Sequence, residues 1–253
     1  VAAGAAGYFL SGRVATRIDI WLNPDIDPQG RSFQIVQSLI AVANGGVFGE
    51  GLNQGRPGYV PAVHTDFPYV AVAEEFGLIG AWVMLAAFAL LSARAWRLAL
   101  RSGSTYVRLL AGGIAASLAI QVAVIIGGNL AMLPLTGVTL PFVSFGGSSL
   151  LAWMVSAGLL VRLSGDADGQ RHVVNHAPDA RAQRGMARLT MGLFAALALG
   201  TSMVMIPRSA AYTARLDNPR LVEDERAIER GAIRAHDGSL LASSVRASDI
   251  GGQ

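Results

Sequence analysis

Long stretches without charge dominate the chain. Residues 109–161 contain no Asp, Glu, Lys or Arg, and two further uncharged runs cover residues 76–93 and 189–207. A helix that crosses the hydrocarbon core of a bilayer needs about 20 mainly apolar residues. The longest run therefore predicts two spans, and the segment from Pro134 to Pro141 breaks it. The pattern predicts an all-α polytopic membrane protein.

The composition agrees with this class. Of the 253 residues, 52% are hydrophobic and 15% are charged, whereas soluble domains carry about 25% charged residues. All 20 basic residues are arginines, and there is no cysteine, which excludes disulfide scaffolds and cysteine-based zinc sites. The net charge of +3 is spread along the chain, so nucleic acid is not an expected partner.

The arginines between the runs predict an orientation. Short loops rich in Arg stay in the cytoplasm. Residues 94–108 and 162–188 are such segments, whereas residues 131–143 contain no arginine and are therefore expected outside.

The apolar run at residues 1–10 is too short for a span, and we interpret it as the end of a truncated helix rather than an interfacial segment. The expected organisation is an extracytoplasmic loop at about 11–68, spans at about 69–93, 109–130 and 142–162, a cytoplasmic linker at 164–188, an anchor helix at 189–207 and an extracytoplasmic region at 208–253.

The long outer loop begins with a helical pattern. Apolar residues recur at helical spacing between Ser32 and Asn44, and Gly45 and Gly46 would end such a helix. We expect an amphipathic helix at the membrane surface. A helix packed on the neighbouring spans would show the same pattern, so both alternatives stay open.

Six glycines follow between Gly45 and Gly58. Backbone N–H groups of Gly-rich loops can approach a phosphate or a sugar closely. Gly49, Gly51 and Gly55 are therefore candidate ligand contacts, although glycines of this kind can also serve as simple turns.

Carboxylates at the outer mouth of the first span are candidates for chemistry. Asp66, within the sequence His64-Thr65-Asp66, precedes Pro68. Helix capping is the alternative role for Asp66, since Asp is a favoured N-cap and Pro a favoured first residue. Glu74 and Glu75 fall inside the apolar helix, where carboxylates are either functional or paired. Two such groups also fit proton handling in a transporter.

The outward hairpin after residue 127 is polar without being charged. Its prolines and glycines break the helix at membrane depth, where irregular backbone is either shielded by protein or lines a wet cavity. Small residues could equally serve close packing. The candidate ligand contacts in it are Asn129, Thr136, Ser144, Gly146, Gly147 and Ser148.

Three segments carry a resemblance. In order, GGVFGEGLNQGRPGYVP, HTDFPYVAVAEEFGLIG and GNLAMLPLTGVTLPFVSFGGSS resemble the SEDS family (FtsW, RodA, SpoVE) over about residues 13–163. The resemblance implies the C-terminal part of a peptidoglycan glycosyltransferase of the cytoplasmic membrane, within residues 1–163. Its substrates would be lipid II and the glycan linked to undecaprenyl diphosphate, in division or elongation. A lipid II flippase and a non-catalytic scaffold are the alternatives.

The family's essential loop carboxylate corresponds to Asp66, which the resemblance makes the catalytic base. Arg31 and Arg56 are candidates for the diphosphate, with Arg13 and Arg17 weaker ones. His64, Thr65, Glu74, Glu75, Gly49, Gly51 and Gly55 would contact substrate, together with the hairpin residues named above. No metal ligands or cofactor are evident, although a divalent cation could assist the diphosphate. The chain departs from the family pattern at Ala62, Pro68 and Phe145.

The tail carries a second resemblance. Residues 217–242 are similar to the start of a class B penicillin-binding protein, just after its membrane anchor. The resemblance implies that residues 189–207 are this anchor and that a penicillin-binding protein is fused here. The active-site motifs of a transpeptidase require lysine, and the chain has none, so no transpeptidase chemistry is assigned to it.

Overall fold

The computed structural model describes residues 12–169, 180–221, 233–236 and 239–242. The predicted truncated helix at residues 1–10, part of the linker and half of the region similar to a penicillin-binding protein lie outside these residues. The chain divides into two compact units, residues 1–215 and 216–253. The described helices are α1 (Gly12–Leu22), α2 (Phe33–Gly45), α3 (Pro68–Arg101), α4 (Thr105–Asn129), α5 (Gly147–Gly169), α6 (Ala180–Met205) and α7 (Ser209–Thr213), with 3-10 turns at Pro24–Ile26 and Pro57–Tyr59.

The expected polytopic α-helical membrane fold is confirmed in the first unit. Four of the described helices, α3 to α6, are long and apolar enough to cross a membrane. Helix α3 continues eight residues beyond the predicted end at residue 93, through Arg94 to Arg101, and α5 begins at Gly147 rather than at residue 142. The described part of the second unit contains an antiparallel pair of short strands, β1 (Ile233–Arg234) and β2 (Leu240–Ala242).

Helix α6 packs against α3 in antiparallel orientation. The Tyr69 hydroxyl in the first turn of α3 lies 2.7 Å from Thr201 Oγ1 near the end of α6. At the other end, Trp96 Nε1 donates to Thr190 Oγ1 at 3.2 Å. Thr201 Oγ1 also lies 2.9 Å from the Leu197 carbonyl, to which it donates, so the Tyr69 hydroxyl is the donor to Thr201. Two buried hydrogen bonds thus set the register of the predicted anchor helix on the bundle.

Helix α2 is packed inside the bundle rather than laid on the membrane surface. Every residue from Ile35 to Ala43 is buried, including the polar Gln37 and Ser38. The Ser38 hydroxyl donates to the Asn129 carbonyl at 2.6 Å. The helix ends as the sequence predicts, because Gly46 takes a positive φ of 52° after Gly45. Of the two alternatives, the structure thus shows packing on the neighbouring helices.

Helix α3 is interrupted at Gly77, where φ is 65° and ψ is −160°. Residues 46–51, the first part of the Gly-rich loop (residues 46–58), supply the missing backbone partners. Leu78 N–H donates to the Gly46 carbonyl (2.9 Å) and Ile79 N–H to the Val47 carbonyl (3.4 Å). In the other direction, the Glu50 and Gly51 N–H groups donate to the carbonyls of Glu74 and Glu75, each at 3.0 Å. A break near lipid is tolerated because its freed polar groups are satisfied in this way.

Close backbone approach explains three of the glycines. A Cβ at Gly45 would collide with the Ala73 carbonyl, and a Cβ at Gly49 would collide with the Glu75 carbonyl. A Cβ at Gly77 would meet the backbone of the Gly-rich loop. These positions admit only glycine because backbone packs directly on backbone.

We expect the Tyr69–Thr201 hydrogen bond to contribute measurably to the stability of the bundle. Tyr69→Phe and Thr201→Val each remove one partner, and a double-mutant cycle should give a coupling of about 0.5–1.5 kcal/mol, as for hydrogen bonds between membrane helices. Reversible unfolding in detergent measures it. Ser156→Ala, which removes a hydroxyl bonded only to its own helix, is the control. If the destabilisations caused by the two single substitutions simply add up in the double mutant, Tyr69 and Thr201 do not stabilise the bundle through a shared hydrogen bond.

Candidate active site

Asp66 lies in a tight loop before α3 that Ala62 organises. The Ala62 carbonyl accepts hydrogen bonds from Asp66 N–H (2.9 Å), Thr65 N–H (3.1 Å) and the Thr65 hydroxyl (3.2 Å). Ala62 adopts a φ of 57°, a left-handed conformation that costs an L residue about 1–2 kcal/mol. Such strain is retained where the surrounding structure enforces it, and it clusters at functional sites.

Asp66 does not cap α3. The helix begins at Pro68, its N-cap is Phe67, and no side-chain cap hydrogen bond is formed there. The Asp66 carboxylate instead lies beside Gly137, because a Cβ built on Gly137 would be 3.8 Å from Asp66 Oδ2. Gly137 takes a φ of 72°, which favours glycine. Asp66 is therefore a half-buried carboxylate at the junction of two loops, and the capping alternative no longer accounts for it.

The second of these loops, residues 130–146, meets the first at a backbone hydrogen bond. Phe145 N–H donates to the His64 carbonyl at 2.9 Å. Gln121 in α4 donates from Nε2 to the Thr139 carbonyl at 2.8 Å. Since Gln121 is eight residues before the end of α4, this contact lies about 12 Å along the helix from Asn129 at 1.5 Å per residue. The second loop thus returns into the bundle, to a level well below its helix ends.

Further contacts hold the second loop on several sides. Buried Ser144 accepts the Leu140 N–H at 2.7 Å, and its own N–H returns to the Leu140 carbonyl. From α1, Arg17 donates to the Thr136 carbonyl at 2.9 Å and Trp21 to the Ala131 carbonyl at 3.0 Å. Arg17, a weaker candidate for the diphosphate, therefore has a structural contact.

Gln121 and Trp153 are residues that sequence reasoning missed. Trp153 Nε1 donates to Gln121 Oε1 at 3.2 Å, and Thr139 Oγ1 donates to Ser149 Oγ at 2.8 Å. These bonds tie the second loop to both α4 and α5. The available signal was Gln121 itself, a large polar side chain inside a charge-free span, where polar groups are usually functional or paired.

A second group of predicted residues gathers at the break in α3. Glu74 is buried (1% exposed), and its Oε1 accepts the Arg56 N–H at 3.3 Å. Gly55 fits against the side chains of both Glu74 and Glu75. The N–H groups of Gly49 and Gly51 donate to protein carbonyls, which gives these two glycines a structural role whatever else they contact.

Arg31 belongs to a third group. Its Nε lies 3.6 Å from Asp27 Oδ2 in an exposed ion pair. The Arg31 backbone N–H donates to the same oxygen, and this hydrogen bond lowers the pKa of Asp27 from its ordinary value. Both side chains line a cavity of about 250 Å³ formed by the end of α1 and the start of α2.

The remaining candidates differ in their surroundings. Asn129 is fully buried, and neither its amide nitrogen nor its amide oxygen has a hydrogen-bond partner. Thr136, Gly147 and Ser148 are exposed, and Gly146 fits against the Thr139 side chain. Among the residues that the structure describes, no group of three or more His, Asp or Glu side chains is placed to hold a metal ion.

Comparison with known proteins identifies the family. The family model of the cell cycle proteins FtsW, RodA and SpoVE matches residues 3–168. The peptidoglycan glycosyltransferase RodA of Mycobacterium tuberculosis is 43% identical over 157 residues, which is 62% of this chain and 34% of that protein. The stage V sporulation protein E of Bacillus subtilis is 45% identical over 150 residues, 58% of this chain and 41% of that protein.

A probable peptidoglycan glycosyltransferase FtsW of Geobacter metallireducens is 43% identical over 162 residues, 62% of this chain and 43% of that protein. The chain therefore spans between about a third and two fifths of the length of these relatives. The matched residues include both loops that meet at Asp66 and the whole of the interrupted helix α3. This chain belongs to the FtsW/RodA/SpoVE family.

Proposed function

We propose that this chain carries the catalytic base of a peptidoglycan glycosyltransferase that polymerises lipid II during division or elongation. The observation that carries the proposal is the position of Asp66. Its carboxylate does not cap α3 and lies beside Gly137, where two loops meet. The names of the relatives support the reaction type. The four long apolar helices and the family place the chain in the cytoplasmic membrane as a multi-pass protein.

In the proposed reaction, the Asp66 carboxylate takes the proton from the 4-hydroxyl of the acceptor sugar. The hydroxyl oxygen attacks the anomeric carbon of the growing glycan, and the bond from that carbon to the diphosphate breaks. Undecaprenyl diphosphate leaves with the electron pair. A positioned base of this kind typically contributes about 10²–10⁴-fold to the rate. The hydrogen bonds to the Ala62 carbonyl hold the loop, so the carboxylate needs little reorganisation.

The leaving diphosphate requires positive charge, and we assign this role to Arg56 and Arg31. Arg56 is half-buried in the loop that fits the break of α3, beside Glu74. Arg31 keeps an exposed guanidinium next to Asp27. A divalent cation could assist the diphosphate, although no group of three or more His, Asp or Glu side chains among the described residues is placed to hold one. His64, Thr65 and the polar residues of the second loop would orient the sugars.

Two alternatives rest on other observations. Buried Glu74 suits proton handling, which would support a lipid II flippase. The two hydrogen bonds that fix α6 on α3 suit a scaffold that holds a penicillin-binding partner. Both alternatives leave Asp66 without a chemical role, so removing its basicity separates them from the polymerase.

We also propose that α6 and the following residues are the anchor and the first extracytoplasmic part of a class B penicillin-binding protein. The resemblance of residues 217–242 supports this assignment, as does an apolar helix that runs antiparallel to α3. In this arrangement, the polymerase and its transpeptidase partner are joined through the Arg-rich linker. The chain has no lysine, so no transpeptidase chemistry is assigned to it.

Asp66→Asn in the full-length polymerase should lower the rate of lipid II polymerisation by about 10²-fold or more, because the Asn side chain has the shape of Asp but cannot act as a base. Gel analysis of glycan strands from purified protein in detergent measures it. Asp25→Asn, an exposed acid that does not line the cavity of Arg31, is the matched control and should polymerise normally. Normal polymerisation by Asp66→Asn would refute the base assignment, and lipid II transfer across vesicles without polymerisation would favour the flippase.

The proposed sidedness predicts a labelling pattern. In intact cells, single cysteines at Gln54 and Ser239 should react with a membrane-impermeant maleimide, because both positions are assigned to the outer side. A cysteine at Ser102, in the Arg-rich loop after α3, should react only after the membrane is opened. The chain has no native cysteine, so the background is clean. The reversed pattern would overturn the orientation.

A further inference from the structure

Three large apolar side chains of the Gly-rich loop are exposed. Phe48 is 81% exposed, Leu52 is 72% exposed and Val47 is 43% exposed. We call these three residues the apolar tip. Exposing apolar side chains to water is unfavourable, and large exposed apolar surfaces mark interaction sites.

Backbone hydrogen bonds fix the apolar tip against the outer part of α3. The Val47 carbonyl accepts the Ile79 N–H, and the Gly51 N–H donates to the Glu75 carbonyl. On α3, Phe76 and Ile79 are themselves about half exposed (45% and 52%). Because the Val47 carbonyl is hydrogen-bonded to the Ile79 N–H, the apolar tip continues the apolar outer surface of the membrane helix.

The charges of α3 give the depth of this surface. The uncharged run from residue 76 to residue 93 is bounded by Glu75 and Arg94. Its 18 residues span about 27 Å at 1.5 Å per residue, close to the hydrocarbon thickness of about 30 Å. The break at Gly77 therefore coincides with one edge of the hydrocarbon core, and the apolar tip lies at that edge.

Polar residues of the same loop are interspersed with the apolar tip along the chain. Glu50, Asn53 and Gln54 are exposed between and after the apolar residues. Amphipathic helices settle at the boundary between headgroups and acyl chains because they combine apolar and polar side chains, and a loop that combines both kinds suits the same depth.

We propose that the apolar tip inserts among the acyl chains of the outer leaflet and anchors the Gly-rich loop to the lipid surface. The partner is the bilayer itself, because the surface continues a membrane helix at the edge of its uncharged run. Through the hydrogen bonds at the break, this anchor holds Glu74 and Arg56 at headgroup level. Contact of the apolar tip with lipid does not depend on Asp66 being a base.

The test uses an environment-sensitive bimane label on single cysteines in the otherwise cysteine-free chain. The full chain is reconstituted in vesicles of phosphatidylethanolamine and phosphatidylglycerol that contain a nitroxide lipid, either shallow or deep. We expect bimane at Phe48→Cys and Leu52→Cys to be blue-shifted and quenched more by the shallow than by the deep nitroxide. Val83→Cys, an exposed position within the span, should show the opposite ratio. Gln54→Cys should be quenched mainly by aqueous iodide.

Two outcomes would overturn the proposal. Iodide quenching at Phe48→Cys equal to that at Gln54→Cys would place the apolar tip in water. Protection from both iodide and nitroxide lipids would show that protein, not lipid, covers it. Because the labelled positions are exposed, folding should be preserved, and unchanged unfolding temperatures of the unlabelled variants check this. Polymerisation activity is not part of the readout, so a failure here leaves the proposal for Asp66 standing.

Discussion

Four backbone hydrogen bonds between the Gly-rich loop and the break at Gly77 hold the outer part of this protein together. A helix that stops hydrogen-bonding at the edge of a membrane leaves polar groups that lipid cannot satisfy. The carbonyls of Glu74 and Glu75 and the N–H groups after Gly77 are such groups, and residues 46–51 pair with them. The short helical segment before the break carries the Asp66 loop at its start, so the position of Asp66 depends on this junction. The same junction sets Arg56 beside Glu74.

The site is built from irregular backbone rather than from helix faces. Ala62 before Asp66 and Phe142 in the second loop take left-handed backbone conformations, with φ of 57° and 64°, and the two loops approach each other where Asp66 lies beside Gly137. Hydrogen bonds from surrounding helices hold the second loop in place, among them those of Gln121 and Trp21. Loops held in this way present a carboxylate with little freedom to move, which suits a base that must meet one hydroxyl of a sugar.

The spans could be predicted from the sequence because charge is excluded from the membrane core, and charge gaps are visible without any structure. Asp66 could also be singled out as a candidate, although its alternative role as a helix cap was decided only by the start of α3 at Pro68. The surroundings of α2 could not be predicted, since a buried helix with Gln37 and Ser38 inside has the same periodicity as a surface helix. Nor could the role of Gly49, because pairing between a loop and a broken helix depends on tertiary contact between segments distant in sequence.

Hydrogen exchange at the amides of Glu50 and Gly51 tests the central structural claim most directly. If these N–H groups are bonded to the carbonyls of the interrupted helix, residue-resolved exchange in lipid nanodiscs should be slower than in an unstructured peptide by at least about 10²-fold. The protection should fall in Gly77→Ala, because alanine does not fit the positive φ and the close backbone contact there. Exchange of both amides at the unstructured rate in the native protein would contradict the account.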